Sequence, residues 1–373
     1  MLTSYDDLPI HQIGGPFETA GTGDHRFFDR YWFVAYDPQG RAQFASGLGV
    51  YRNMNVLDGF ASVLVGQTQH NVRVSRQLRP DLGRIGAGPL LYEVRKGLQT
   101  FGLSMTENEY GVSFDLVWDG DSPAFEEPHH RRFIDGMLYE DYTRFYQFGR
   151  VTGWIKAGGQ SFDLGDGWFG FRDRSFGVRP GVGGAPPAKP PAAARQGRET
   201  TFIAGVGFSV EDCHGSFHVQ EDDEGARVYS GGTLVRRAGD GWTQHDVRDV
   251  EATLRLTPGA LKVEGLDFTF TAGGQSYQFV GTPLSPPFAY QGYGYYDGYW
   301  DKKGLGAWRG DEVIEGEAYD VSNPEKVLDL GGRREFPRTM PLEYPLKVLV
   351  NGKPGYSDSM VGITGRHPRY NPE

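Results

Sequence analysis

Asp173 has the clearest chemical prospects in this chain. It lies in WFGFRDRSFGVRP, residues 168–180. As a β-strand, this run sets Phe169, Phe171, Asp173 and Ser175 on one face and Arg172 and Arg174 on the other, because successive side chains alternate. An aspartate in line with two phenylalanines on the inner face of a barrel loses water, and burial raises a carboxyl pKa. A carboxyl that titrates near neutrality gives or takes a proton, which is the work of a general acid or base. Arg174 would stabilise developing negative charge if its side chain reached the same cavity against the strand parity. A structural use of the same residues is an Asp173–arginine pair that pins a strand end.

Two further runs carry candidate ligand contacts. GLGVYRNMNVLDGF, residues 47–60, brings Tyr51, Asn53, Asn55 and Asp58 close together after a strand. Such a cluster either orients a ligand at a cavity mouth or simply shapes a loop, since Asn and Asp are turn formers. PPFAYQGYGYYDGYWDKKGLGAWRG, residues 286–310, presents Tyr290, Tyr293, Tyr295, Tyr296, Tyr299 and Trp300. Flat rings with polar tips line sites for apolar ligands, and they equally serve barrel packing. The expected substrate contacts are Tyr51, Asn53, Asn55, Trp168, Phe171, Tyr293, Tyr295 and Trp300.

The remaining chemistry-bearing residues point away from metals and cofactors. His214 and His218 on a strand lie roughly 13 Å apart, too far to share an ion. His129-His130 follows Pro128 and precedes two arginines, which reads as a surface turn. Cys213 is the single cysteine, so neither an internal disulfide nor a multi-cysteine zinc site is expected. Gly-x-Ser-x-Gly, phosphate-loop and dinucleotide fingerprints are all missing. Neither a metal nor a cofactor is therefore expected.

These residues need a scaffold, and composition indicates which. The 373 residues include 24 Phe, 20 Tyr, 7 Trp and 55 Gly, a mixture suited to pleated surfaces joined by tight reversals. Tyr31–Gly49 reads as strand, Asp37-Pro38-Gln39-Gly40 turn, strand, and similar hairpins follow along the chain. Asp135–Tyr146 holds the best helical spacing but is short and aromatic enough to be strand. Residues 181–199, GVGGAPPAKPPAAARQGRE, read as an exposed linker or mobile loop. The expected fold is all-β: two successive lipocalin-like antiparallel β-barrels or sandwiches with few helices, residues 1–180 and 200–373, joined by 181–199. The AGGQSF of residues 157–162 recurs as AGGQSY at 272–277. Internal duplication and chance likeness of glycine-rich turns both account for that.

Charge and hydropathy narrow the partners. A net charge of −10 repels phosphate backbones, so no nucleic-acid partner is expected. Apolar runs fall far short of a membrane span, and the N-terminal residues lack the pattern of a signal peptide. A reducing cytoplasm is the expected compartment, and a chain of this size and surface permits a homodimer.

The runs FFDRYWFVAYDPQGRAQFASGLGVYRNMNVLDGFASV and RFYQFGRVTGWIKAGGQSFDLGDGWFGFRDRSFGVRP resemble bacterial proteins related to carotenoid 1,2-hydratase (hydroxyneurosporene synthase). Those are two-domain proteins of successive lipocalin-like barrels. Their signature is Arg-Asp-His-Ser-Trp-Gly-x-Arg, and Arg172-Asp173-Arg174-Ser175-Phe176-Gly177-Val178-Arg179 matches it except at Arg174 and Phe176. The likeness covers most of residues 25–180 in spacing. It implies that Asp173 takes the place of the motif aspartate, the favoured acid in the hydratases. Arg174 puts a permanent cation where the family has histidine, suited to an anionic or carbonyl oxygen. The expected function is cofactor-independent proton-transfer chemistry on a small, largely apolar molecule such as a terpenoid, steroid or aromatic compound. Hydration or dehydration, isomerisation, cyclisation and lyase steps all belong to that class. The alternative is a non-catalytic lipocalin-like carrier of a hydrophobic small molecule, with Asp173 locked in a salt bridge away from the pocket.

Overall fold

The structure, a computed structural model, describes residues 2–134, 136–165, 167–183, 200–258, 260–295, 303–323, 325–332, 334–337 and 341–371. Among these residues the chain is all-β, and its helical element is one 3-10 turn at Ser4–Asp7. Alternation and turn chemistry account for the strands. The Asp37–Gly40 turn closes through Gly40 N–H to Asp37 O at 2.8 Å and joins Phe27–Tyr36 to Ala42–Tyr51. Both AGGQS repeats sit at two-residue hairpin turns, with φ of 57° and 73° at Gly158-Gly159 and 56° and 73° at Gly273-Gly274. Two successive left-handed residues suit the twist of the flanking strands, and glycine adopts them without a side-chain penalty. In the ambiguous window at Asp135–Tyr146, residues 137–146 are strand: Met137–Ala157 runs unbroken for 21 residues.

The first sheet is a long antiparallel array. Thr68–Gln77, Val56–Val65, Ala42–Tyr51, Phe27–Tyr36, Trp168–Val178, Met137–Ala157, Ser113–Gly120, Thr100–Met105 and Leu90–Lys96 follow one another in hydrogen-bonded order. It curls around a core that includes Tyr31, Phe33, Phe44, Leu48, Phe101, Phe114, Trp118 and Trp168. Its far edge is extended by Glu312–Asp320, which pairs antiparallel with Thr68–Gln77 and brings Lys326–Asp329 and Glu335–Pro337 with it. The second sheet closes on itself as an eight-stranded barrel, because Gln275–Pro283 pairs with both Val263–Ala272 and Leu342–Val350. Phe202, Phe208, Phe217, Phe268, Phe270 and Phe279 fill its interior. Of the stretch 181–199, residues 184–199 lie outside the described residues, while Val182 is buried and bridges Leu305.

The outer face of the first sheet packs against the outer face of the barrel strands Thr200–Val210, Cys213–Asp222, Leu342–Val350 and Lys353–Ile363. Gly207 marks a close approach: a Cβ there would lie 2.6 Å from the Phe171 ring. Gly207→Ala therefore forces that ring out of the seam. It is expected to cost about 1–3 kcal/mol, the usual range for overpacking, measurable as a lower urea midpoint at unchanged slope.

Candidate active site in the seam between the two sheets

Trp168–Val178 lies between Phe27–Tyr36 and Met137–Ala157, and Asp173 stands directly opposite Trp32 on one side and Tyr146 on the other. The alternation expected from sequence is present, but the curvature of the sheet decides which face is the barrel interior. Arg172 and Arg174 point into the core that the first sheet curls around, where Arg174 stacks 3.9 Å over Tyr31 and pairs with Asp29 at 2.8 Å. Asp173 points outward, into the seam. The inner-face placement expected for Asp173 is thus corrected: the second barrel, not the first barrel's core, takes water away from it.

Asp173 is half-buried, and among the described residues burial and neighbouring charges act on its carboxyl with no hydrogen bond to it. Burial pushes its pKa up to about 6, against the pull of the Arg144 and Arg179 guanidiniums and with a smaller push from Glu127. The group is a carboxyl that titrates near neutrality and has no hydrogen bond among the described residues. That is the property a proton-transfer residue needs.

Two more carboxyls come from the second barrel. Asp358 faces outward on Lys353–Ile363, opposite Pro345, and Glu343 lies on the adjacent strand opposite Met360. Both are buried. Tyr36 donates to Asp358 and Tyr290 donates to Glu343. Burial raises both carboxyls, Asp358 to about 6 and Glu343 well above the carboxylate range. The neighbouring Asp358 charge adds to the effect on Glu343, and Asp173 raises both. Two adjacent buried carboxyls cannot both ionise cheaply, so the proton stays on Glu343.

Aromatic rings cover this set. Trp32 lies 6.2 Å from Tyr290, 5.8 Å from Tyr293 and 6.1 Å from Tyr295, and Tyr293 stacks on Phe60 at 4.1 Å. Phe171 stacks on Tyr146 at 5.2 Å. Behind them, buried Arg30 donates to Tyr51 Oη at 2.9 Å, to Asp58 Oδ1 at 3.3 Å and to Tyr295 Oη at 3.1 Å. The seam therefore gathers Asp173, Phe171, Tyr293 and Tyr295, with Tyr51 attached through Arg30.

Other expected contacts lie elsewhere. Trp168 is in the first-barrel core, on the face opposite Asp173. Asn53 is a surface clamp that donates to Thr22 O and Asp24 O. Asn55 takes a left-handed turn conformation, φ 58°, and accepts from Arg79 N–H at 3.0 Å. Trp300 lies outside the described residues.

Sequence reasoning missed a charged group that acts on Asp173. Glu127 is buried, receives Arg144 Nη2 at 2.7 Å and contacts His130 Nε2 at 3.1 Å. Burial works against its charge, yet Arg144, His130 and His218 hold its pKa well below the usual carboxylate range. His130 is no surface turn: it stacks on Tyr142 at 4.7 Å and faces His218 at 6.3 Å. Among the described residues no group of three or more His, Cys, Asp or Glu is placed to hold a metal ion, and no helix is long and apolar enough to cross a membrane.

Fold and site together define a class: an all-β protein in which a closed barrel docks on a large curved sheet and titratable groups meet in the seam. The chain belongs to the family described as "Family of unknown function (DUF8625)", whose model matches residues 2–329. No curated protein sequence matches it. Among solved structures, kievitone hydratase from Nectria haematococca is similar at 12% identity, covering 92% of this chain and 93% of that one with a TM-score of 0.45. CghA with Sch210972 is similar at 10% identity, covering 91% and 88% with a TM-score of 0.44.

Proposed function

We propose that this protein catalyses proton transfer on a small, largely apolar molecule, such as a terpenoid, steroid or aromatic compound, held in the seam. The observation that carries this reading is the Asp173 carboxyl, poised near 6 with no hydrogen bond among the described residues, on a face walled by aromatic rings. A desolvated carboxyl without partners is costly to keep, and a substrate proton is a fitting partner. Two titratable groups whose surroundings push them apart divide into base and acid. Asp173, largely ionised at neutral pH, is then the base. Glu343, held neutral and linked to the Tyr290 hydroxyl, is the proton source. Arg179 has a buried Nη2 without a partner among the described residues and acts on Asp173, so it is available to a developing oxyanion. Hydration or dehydration, isomerisation, cyclisation and lyase steps are the reactions such a set serves. The resemblance of residues 172–179 to the hydratase motif supports Asp173 as the proton-transfer group.

Solvent deuterium tests this directly. The protein in D₂O is incubated with terpenoid alkenes, steroid enones and prenylated phenols, and each compound is weighed by mass spectrometry. One class is expected to gain deuterium or the mass of water. A compound that binds tightly yet emerges unlabelled and unchanged would make the protein a carrier instead.

A further inference from the structure

The opposite face of the same strand poses a separate question. Arg172 is 1% exposed, and no carboxylate pairs with it among the described residues. Its Nε and Nη2 both go to one neutral acceptor, Gln147 Oε1, at 3.1 and 2.7 Å. Its guanidinium otherwise lies against rings, 4.5 Å from Phe101, 4.9 Å from Trp118 and 5.3 Å from Phe145. Two positions along, on the same face, Arg174 pairs with Asp29 but leaves Nη1 buried and unpartnered. Arg52, within the field of Asp29, likewise leaves Nη1 buried and without a partner among the described residues. Asp29 pairs with Arg174 and acts on Arg52 together with Glu18, while among the described residues Arg172 has only Tyr31 and, across the strand, Asp173 to offset its charge. Burial and Arg174 together push the Arg172 pKa down to about 10, the mark of a cation short of counter-charge.

We propose that this end of the first sheet's concave side binds a small oxyanion, a carboxylate or phosphate group, between Arg172 and Arg174 with Arg52 at the rim. Guanidinium forks match the geometry of both groups. Tyr31, Phe33, Phe101 and Trp118 fill the barrel beneath, so the site takes a headgroup rather than a long acyl chain. The anion competes with Asp29 for Arg174. The proposal is independent of the acid–base reading, because Arg172 and Arg174 face away from Asp173.

Calorimetric titration of the full chain tests it, with sodium phosphate and sodium acetate in separate runs at constant ionic strength. Saturable binding of at least one of them is expected. Arg174→Gln should weaken it at least about tenfold, the worth of a charge-assisted hydrogen bond. Asp29→Asn should tighten it, since it removes the competing acid, whereas a purely structural cluster gains nothing from that change. If Arg174→Gln does not fold, Arg172→Lys serves, because it keeps the charge and loses the fork. Tighter phosphate than acetate assigns a phosphate group, and the reverse assigns a carboxylate. Absence of saturable heat with both anions overturns the proposal, as does wild-type affinity in both Asp29→Asn and the arginine variant.

Discussion

Replacing Asp173 with asparagine is expected to lower turnover by about 10²–10⁴-fold, the range lost when a positioned acid or base is removed, with no loss of folding stability. Stability should hold because the change is isosteric and, among the described residues, no hydrogen bond to Asp173 is broken. It also removes a carboxyl whose ionisation is opposed by burial. Asp173→Glu keeps the charge but shifts it along the seam, and a displacement of about 1 Å is enough to cost a hundredfold. The pH profile supplies the sign. A base must be ionised, so wild-type kcat/KM should fall as pH drops through about 6, and the residual rate of Asp173→Asn should lack that limb. A limb that falls as pH rises through the same value would make Asp173 the acid. Near-normal turnover in Asp173→Asn would remove it from the chemistry altogether.

The part of this site that sequence reveals is the part encoded by local alternation. WFGFRDRSFGVRP is enough to separate Asp173 from Arg172 and Arg174, and the structure keeps that separation. Which face becomes the barrel interior is a different matter. Both faces of this strand carry aromatic and charged residues, and curvature depends on the whole sheet. Arg174 therefore looks available to the Asp173 site until the sheet is seen to curl around it. Glu343 and Asp358 are invisible for another reason. Each sits in an ordinary alternating strand, LEYPLKVLV and YSDSMVGI, where an outward acid normally means solvent. Only docking of the barrel on the first sheet buries them, and that contact has no local period. The same holds for Glu312–Asp320, which leaves the second half of the chain to pair with Thr68–Gln77 through backbone hydrogen bonds that any sequence can make. Pro128 before His129-His130 suggests a turn, yet Tyr142, Glu127 and His218 enclose the His130 ring.

Glu127 links stability to the chemistry, and Glu127→Gln is expected to alter both. The Glu127 side chain is 2% exposed and Arg144 Nη2 lies 2.7 Å away, so the variant leaves a half-buried guanidinium without its anion. Breaking one partner of a buried pair costs about 3–5 kcal/mol, a large share of the roughly 5–15 kcal/mol that a folded domain has in all. The sign with pH follows from the depressed pKa of Glu127. Its contribution is full above the unfolded value near 4.5 and is lost as pH falls below it. Wild type and variant should therefore differ most at neutral pH and converge in acid, which urea unfolding at a series of pH values would read. A second effect separates this residue from an ordinary structural ion pair. The Glu127 charge helps to raise Asp173, while Arg144 lowers it. Without Glu127 the arginine acts on Asp173 alone, so the activity limb near 6 should move to lower pH. Loss of stability with an unmoved limb would reduce Glu127 to a structural part. A shifted limb would show that the proton affinity of Asp173 is set across the seam by the Glu127–Arg144 pair.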